Sequence, residues 1–508
     1  MKEKKTDIRN QTRLNIVMSV IYQLTAAVCS LILPRYILLT FGSDVNGILQ
    51  SVSQLLNYTA LMECGVGGLI TASFYKPLAE GDSEHVSDIF NNTKSFFDKI
   101  SYVYMALVAM LAFSVKFFIH TDFDFGYVCT LVIILGVSYY FSYYFAMAQR
   151  LLMRADQKIR IVQGIQSITL ALNAVFCITA MKFGVGIHTV KIINALIFLI
   201  NPIALRLYVK KHYSISKTVY DKKRSFPRKT DGIVHHIAFF IHMNTDIVLL
   251  SVVGGTKDVS VYSVYNSVIY ATENFFATIS DSISAAIGNM IAKGESDTLK
   301  VSFELYQIIN TAAATFVCVM EAILIIPFVK IYTSGVTDAL YIRPVFAYMM
   351  IAAQWFFCIR LPYNNMINSA GHYRQTKTGA YLEVILNVGI SLLTVYRFGL
   401  CGVAFGTLTA MAARAIYMAW YLSKNLLHRK MSLFIRDTFI NIVFAAALIW
   451  LTGRLVIISA DNLLAWGIYA VIISVCIITA IVIFNIIVYN TAIIAAFKRI
   501  KKSRKSRL

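Results

Sequence analysis

The chain has 508 residues, of which 58% are hydrophobic and 14% charged, with a formal net charge of +21. Soluble proteins carry about 25% charged residues, so the deficit excludes an ordinary soluble domain and points to a surface embedded in lipid. The eight cysteines stand singly in apolar segments with no CxxC pair, which fits small buried hydrophobes and not metal ligands or disulfides.

Met1 to Arg13 is polar and basic, with Lys2, Lys4, Lys5, Arg9 and Arg13. An apolar run then continues from Leu14 to about Leu39. It is too long for a signal peptide and lacks a small-residue cleavage site, so it is read as a retained first span. Further spans are expected at about 45–74, 100–120, 126–149, 161–181, 187–209, 233–253, 259–291, 302–331, 343–369, 378–396, 400–423, 434–458 and 463–490. Each can cross ~30 Å of hydrocarbon as a helix, and strands with open edges cannot exist there. The expected fold is an all-α polytopic membrane protein of about 14 transmembrane helices. Between the second and third spans, Val86, Ile89, Phe90, Thr93 and Phe97 recur at helical spacing. A short helix lying on the inner membrane surface is expected there.

The basic residues alternate by side. With these spans, 35 of the 47 lysines and arginines fall on the side of the two termini and nine on the other. This bias places both termini in the cytoplasm, and it assigns the positive charge to orientation and lipid headgroups, with no nucleic acid implied. The longest charged connection lies at 212–231. The expected organisation is a first lobe at 1–211 (spans one to six), the basic cytoplasmic linker 212–231, a second lobe at 232–424 (spans seven to twelve), two additional helices at 425–490 and a basic tail at 491–508.

The two lobes repeat one another. Leu172-Asn173, an apolar run and Lys182-Phe183-Gly184 return as Leu386-Asn387, an apolar run and Arg397-Phe398-Gly399. Ala79-Glu80-Gly81-Asp82 is echoed from Ala292 to Asp297, and Asp44-Val45 by Asp258-Val259. The offsets stay near 214 residues, far longer than a solenoid repeat. A duplicated pair of lobes suits a membrane transporter, and six spans per repeat make the repeats parallel.

No Walker, GxSxG, HExxH or paired-aspartate signature occurs, and the outer connections are too short to house catalysis, so an enzyme is not expected. The chemistry lies in polar groups within spans. An ionisable group at mid-bilayer costs about 2.5–3.5 kcal/mol on insertion scales, which drives such groups toward a cavity or a partner. The candidates are Arg35 in span one, Glu63 in span two, His242 and Asp246 four apart in span seven, Glu273 and Asp281 in span eight, Glu383 and Asn387 in span eleven, and Arg414 in span twelve. Span ten carries the densest set, with Arg360, Asn364 and Asn368 at i, i+4 spacing and Asn365 beside them. A cation with amide neighbours suits phosphate and sugar in a hydrated cavity.

Arg35 followed by Leu38-Leu39-Thr40-Phe41-Gly42, then Gly47, resembles the first-span signature of polysaccharide flippases. Met153-Arg154-Ala155-Asp156-Gln157-Lys158 and Asn368-Ser369-Ala370-Gly371-His372 resemble that family's paired ends of spans four and ten. Phe183-Gly184 and Phe398-Gly399-Leu400-Cys401-Gly402 resemble its turns into spans six and twelve. The resemblance is to the polysaccharide (O-antigen) branch of the multidrug/oligosaccharidyl-lipid/polysaccharide exporter superfamily. It implies a V-shaped pair of six-helix lobes with two additional C-terminal helices, working by alternating access in the bacterial cytoplasmic membrane, as a monomer and without a cofactor. The implied substrate is an isoprenoid diphosphate-linked oligosaccharide for the cell surface. Arg35 and Arg360 would engage phosphate, and Asn364, Asn365 and Asn368 would hydrogen-bond sugar hydroxyls. Glu63, Glu273 and Arg414 are further candidate substrate-binding residues, and His242 or Asp246 would couple an ion, H+ or Na+. The alternatives are a cation-coupled drug exporter of the same superfamily and a membrane glycan polymerase or acyltransferase.

Overall fold

The computed structural model describes residues 2–58, 66–216, 233–455, 462–490 and 494. Glu63, most of the expected linker and nearly all of the basic tail lie outside the described residues, as do the side chains of His242 and Asp281.

The first lobe begins with α1 (Lys2–Asn57), whose helical backbone breaks at Gly42 (φ 82°, ψ 179°). That conformation is essentially restricted to glycine. The break divides α1 into the expected first span and the start of the second. Then come α2 (Val66–Glu80), α3 (Ser83–Phe118), α4 (Phe125–Tyr143), α5 (Met147–Ala155), α6 (Ile159–Lys182), α7 (Ile187–Phe198) and α8 (Ile200–His212). The second lobe contains α9 (Ile233–Val253), α10 (Thr256–Ala292), α11 (Ser296–Tyr332), α12 (Pro344–Ser369), α13 (Lys377–Phe398) and α14 (Leu400–Asn425). The two C-terminal helices are α15 (Ser432–Leu455) and α16 (Leu463–Val488). Among the described residues, eleven helices are long and apolar enough to cross a membrane, and two shorter apolar helices fall on the fourth and seventh expected spans. The fold is all-α, with two six-helix repeats followed by two further helices.

The chain forms two compact units. Unit 1 comprises Met1–Ile237 with Gly255–Ser260, and unit 2 comprises Ala238–Gly254 with Val261–Leu508. In unit 1, α3 packs on α4, α4 on α7 and α6 on α7. In unit 2 the same places are taken by α11 on α12, α12 on α14 and α13 on α14. Left-handed turns recur too: Gly42 and Gly255, Gly81 and Gly294, Gln157 and Gly371, and Gly184 and Gly399 all have positive φ. The repeated sequence is therefore a repeated set of helix ends.

Side-chain links repeat with them. Asn194 of α7 donates to Asn173 of α6 at 2.8 Å, joining the fifth and sixth expected spans. Asn387 donates to Thr407 at 3.1 Å, joining the fifth and sixth helices of the second lobe. Behind the left-handed Gln157, Lys158 reaches Tyr213 at 3.3 Å; behind Gly371, His372 reaches Tyr421 at 2.9 Å. Asp156 accepts from Tyr213 and pairs with Lys158 at 2.8 Å. Burial, with the Asp156 carboxylate, pushes the Tyr213 phenol well above its ordinary range.

The stripe Val86, Ile89, Phe90, Thr93 and Phe97 is helical, as its spacing indicates, but it is not a separate short helix with an exposed apolar face. It forms the first turns of the long α3, and all five residues are buried in unit 1, where α2 and α5 pack against α3. Periodicity shows that a face leaves water; it does not show whether lipid or protein covers it.

The C-terminal pair packs on α11. Ile473, Ile477 and Ile481 of α16 make one buried stripe against Val319, Met320 and Leu324, together with Leu448 of α15. The rest of α16 is apolar and exposed, as at Leu464 and Ile487, which fits a face turned to lipid.

Unit 1 also holds the first turn of α10. Thr256 donates to Asp44 at 2.6 Å, Asn46 donates to Ser260 at 2.8 Å, and Lys257 pairs with Asp44 at 3.6 Å. A Cβ at Gly47 would lie 1.8 Å from the Thr256 carbonyl oxygen, so only glycine admits this approach of the two helix starts.

Candidate functional site

The polar groups of unit 2 are costly in an apolar bundle, and the helices arrange them so that they meet. Arg360 on α12 is 7% exposed. Its Nη1 donates to Glu383 Oε1 of α13 at 3.0 Å, and its guanidinium lies over the Phe357 ring at 4.9 Å. Arg414 of α14 approaches the other carboxylate oxygen, with Nε 3.4 Å from Glu383 Oε2. One buried carboxylate from α13 therefore stands between two buried guanidiniums from α12 and α14.

Glycines make room for this. At Gly379, one turn before Glu383, a Cβ would lie 2.3 Å from Tyr417 and 2.7 Å from Arg414 Nη1. At Gly402 and Gly406 on α14 it would lie 2.5 Å from the Thr394 carbonyl oxygen and 2.1 Å from Ser391 Oγ. Small residues let α13 and α14 approach closely, which brings Asn387 against Thr407.

A second cluster follows one helical turn along α13. Asp246 of α9, 2% exposed, accepts hydrogen bonds at Oδ2 from Thr407 Oγ1 at 2.7 Å and from Tyr262 OH at 3.0 Å. Asn387 lies in the same cluster through its bond to Thr407. Asp246 Oδ1 and Asn387 Oδ1 are both buried without a hydrogen-bond partner. Oxygen donors of this kind, one carboxylate among them, suit a small hard cation or a proton. Among the described residues no group of three His, Cys, Asp or Glu side chains forms a metal site.

The α12 polar residues divide by role. Asn365 is buried and donates to the Ser280 carbonyl oxygen at 2.5 Å, to Ser280 Oγ at 2.7 Å and to Tyr306 OH at 3.3 Å, tying α12 to α10 and α11. Asn364 and Asn368 are half-buried. Glu273 is half-buried on α10, within electrostatic reach of Arg360. Arg35 is half-buried in unit 1. The structure thus brings Arg360 and Arg414 together, and Asp246 to Asn387.

Two roles escape a reading of the sequence. The clamp role of Glu383 depends on the register of three helices, which spacing does not reveal. Glu321 of α11 was legible only as a lone acid in a span of mean hydropathy 2.3. It accepts from Thr272 at 2.7 Å and from Gln354 at 3.3 Å.

By sequence, no protein-family model matches the chain and no curated protein matches it. By structure, the lipid II flippase MurJ in an inward closed conformation is similar over 94% of this chain and 100% of that one, with a TM-score of 0.68 at 13% identity. The fold is shared with transporters of the MOP superfamily. An inward-facing multidrug resistance MATE transporter of that superfamily matches with a TM-score of 0.58 at 12% identity, over 80% of this chain and 94% of that one. The MATE multidrug transporter DinF-BH matches with a TM-score of 0.59 at 14% identity, over 82% and 97%.

Proposed function

We propose that this protein flips an isoprenoid diphosphate-linked oligosaccharide across the bacterial cytoplasmic membrane by alternating access, with an ion bound at Asp246 driving the cycle. The observation that carries the reading is the Arg360–Glu383–Arg414 clamp. Two guanidiniums meet at one carboxylate here, and guanidinium binds phosphate oxygens in the same forked geometry as carboxylate oxygens. A diphosphate can therefore take over part of the role of Glu383. Asn364 and Asn368, with Glu273, contact the sugars, while Asn365 holds α12 in register.

Coupling follows from shared helices. Asn387 stands four residues after Glu383 on α13, and Thr407 seven before Arg414 on α14. An ion at Asp246, Asn387 and Thr407 therefore acts on the same two helices that position Glu383 and Arg414. Linkage between two such sites is reciprocal and typically worth about 1–3 kcal/mol. His242, four residues before Asp246 on α9, is the second candidate coupling group.

The test is export in cells lacking the protein and complemented with Arg360→Ala. Accumulation of a lipid-linked oligosaccharide on the cytoplasmic side, with the variant inserted normally, supports the reading; unimpaired export removes it. A cation-coupled drug exporter is the second reading, favoured by the acids Asp246, Glu273 and Glu321 in unit 2 and by the fold shared with MATE transporters. Raised drug susceptibility of the deletion strain without oligosaccharide accumulation selects it.

A further inference from the structure

Glu321 stands apart from the clamp and from the Asp246 cluster. It lies where α10, α11 and α12 meet, bonded to α10 and α12, while Val319, Met320 and Leu324 of its own helix receive α15 and α16. Its Oε1 accepts from Thr272 Oγ1 of α10 at 2.7 Å and from Gln354 Nε2 of α12 at 3.3 Å. Its Oε2 is buried and has no hydrogen-bond partner. Gln354 is 1% exposed, and its Oε1 is likewise buried without a partner. The carboxylate and the amide therefore meet with one hydrogen bond made and one acceptor oxygen left over on each.

Two buried, unsatisfied acceptors, one on each of two side chains already joined by a hydrogen bond, are costly. Turning the amide over does not help, because it sets the carbonyl oxygen against Glu321 Oε1 and breaks the bond already made. One proton removes the problem. On Oε2 it converts that atom into a donor, and the unpartnered carbonyl oxygen of Gln354, on the side chain already bonded to Glu321, is the acceptor available to it. The result is the cyclic two-bond pair of a carboxylic acid with a carboxamide, Gln354 N–H to Oε1 and Glu321 O–H to the Gln354 carbonyl.

We infer that Glu321 is a proton-binding site, and that Gln354 is placed to pair with its protonated form. Its titratable neighbours are Glu273 from α10, Cys318 on α11 itself, and Cys358 from α12. The helices α15 and α16 meet α11 through the apolar residues Leu448, Ile473, Ile477 and Ile481. Among the described residues no hydrogen bond joins Arg360 to Glu321; its guanidinium donates to Glu383. Losing the proton places a charge against the Gln354 carbonyl oxygen and favours a shift of α12 or the entry of water. Because α12 also carries Arg360 and α10 carries Glu273, occupancy of Glu321 biases the packing of the clamp. That consequence for transport rests on the function proposed above; proton binding itself does not.

The experiment is infrared difference spectroscopy of the purified full-length protein in lipid nanodiscs, titrated between acid and alkaline pH in H2O and D2O, with no transport substrate present. The expected result is a protonated-carboxyl carbonyl band at neutral pH that shifts on deuteration and vanishes in Glu321→Gln. It persists in Glu273→Gln and Asp246→Asn. In Gln354→Leu, which keeps the carboxyl but removes its acceptor, the band moves to higher frequency. The inference is overturned if no such band exists at neutral pH, if it survives Glu321→Gln, or if sodium at fixed pH abolishes it, which would make Glu321 a metal-cation site. A failure of export with this band intact would remove the transport reading and leave the proton site standing.

Discussion

At the scale of single residues, the structure turns a set of isolated polar positions into two clusters with different demands. Arg360, Arg414 and Glu383 form a buried charge clamp, and removal of one member leaves uncompensated charge in an apolar setting. Glu383→Gln is expected to destabilise the protein by roughly 3–5 kcal/mol, read as a lower melting temperature in detergent. Replacing all three by methionine is expected to restore most of that stability, because an apolar triad of similar volume needs no partner, while abolishing transport. A triple variant that still transports would show that the clamp is structural only. At the second cluster, Asp246→Asn is expected to leave the fold intact and to remove the dependence of transport on the coupling-ion gradient, measured by imposing sodium or proton gradients on vesicles. An unchanged response to both gradients would exclude Asp246 from coupling.

The residues of these clusters were only partly legible. An arginine and three asparagines in an apolar run are visible without coordinates, because hydrocarbon tolerates them badly. Their division was not. The spacing of Arg360, Asn364 and Asn368 suggests one uniform face, yet Arg360 turns to Glu383 while Asn365, a single residue from Asn364, ties three helices together. Glu321 is inconspicuous in the sequence because one acid in a strongly hydrophobic span changes no pattern. Its significance comes from Gln354, which lies on a different helix.

At the scale of helices, glycine fixes which pairs can approach. Gly406 on α14 meets Ser391 and the Asn387 carbonyl oxygen of α13 so closely that a methyl group would have to displace one of them. Gly406→Ala is expected to cost about 1–3 kcal/mol by overpacking. It should also pull Asn387 from Thr407 and weaken ion coupling, which a gradient-driven assay and a thermal melt read separately. Gly389 has open space around it, so Gly389→Ala should change neither. The duplication was legible at this scale because its strongest echoes are turn residues. Gly81 and Gly294, or Gly184 and Gly399, occupy equivalent left-handed helix ends, and that backbone requirement keeps the residue while the apolar runs between are free to drift. The stripe in α3 shows the limit of the same logic, since amphipathic spacing cannot distinguish burial against α2 and α5 from burial in headgroups.

At the scale of the whole molecule, charge asymmetry sets the topology. The positive-inside reading places Lys182 and Arg397 outside and the loop bearing Lys158 in the cytoplasm. On a background without native cysteines, Lys182→Cys and Arg397→Cys are expected to react with a membrane-impermeant thiol reagent added to intact cells, and Lys158→Cys only after the membrane is opened. The reverse pattern would invert the topology. The exposed apolar faces, α16 above all, together with the fold shared with MurJ and MATE transporters, make lipid the natural surroundings of both units. The most direct test of the proposed function is translocation itself. The purified protein would be reconstituted into liposomes with a fluorescent isoprenoid diphosphate-linked oligosaccharide, and the fraction of label reachable by a quencher added outside would be followed under an imposed ion gradient. Gradient-dependent movement of the label across the bilayer, lost in Arg360→Ala and Asp246→Asn, is the predicted result; wild-type movement no faster than in protein-free liposomes, or undiminished gradient-dependent movement in either variant, would contradict it.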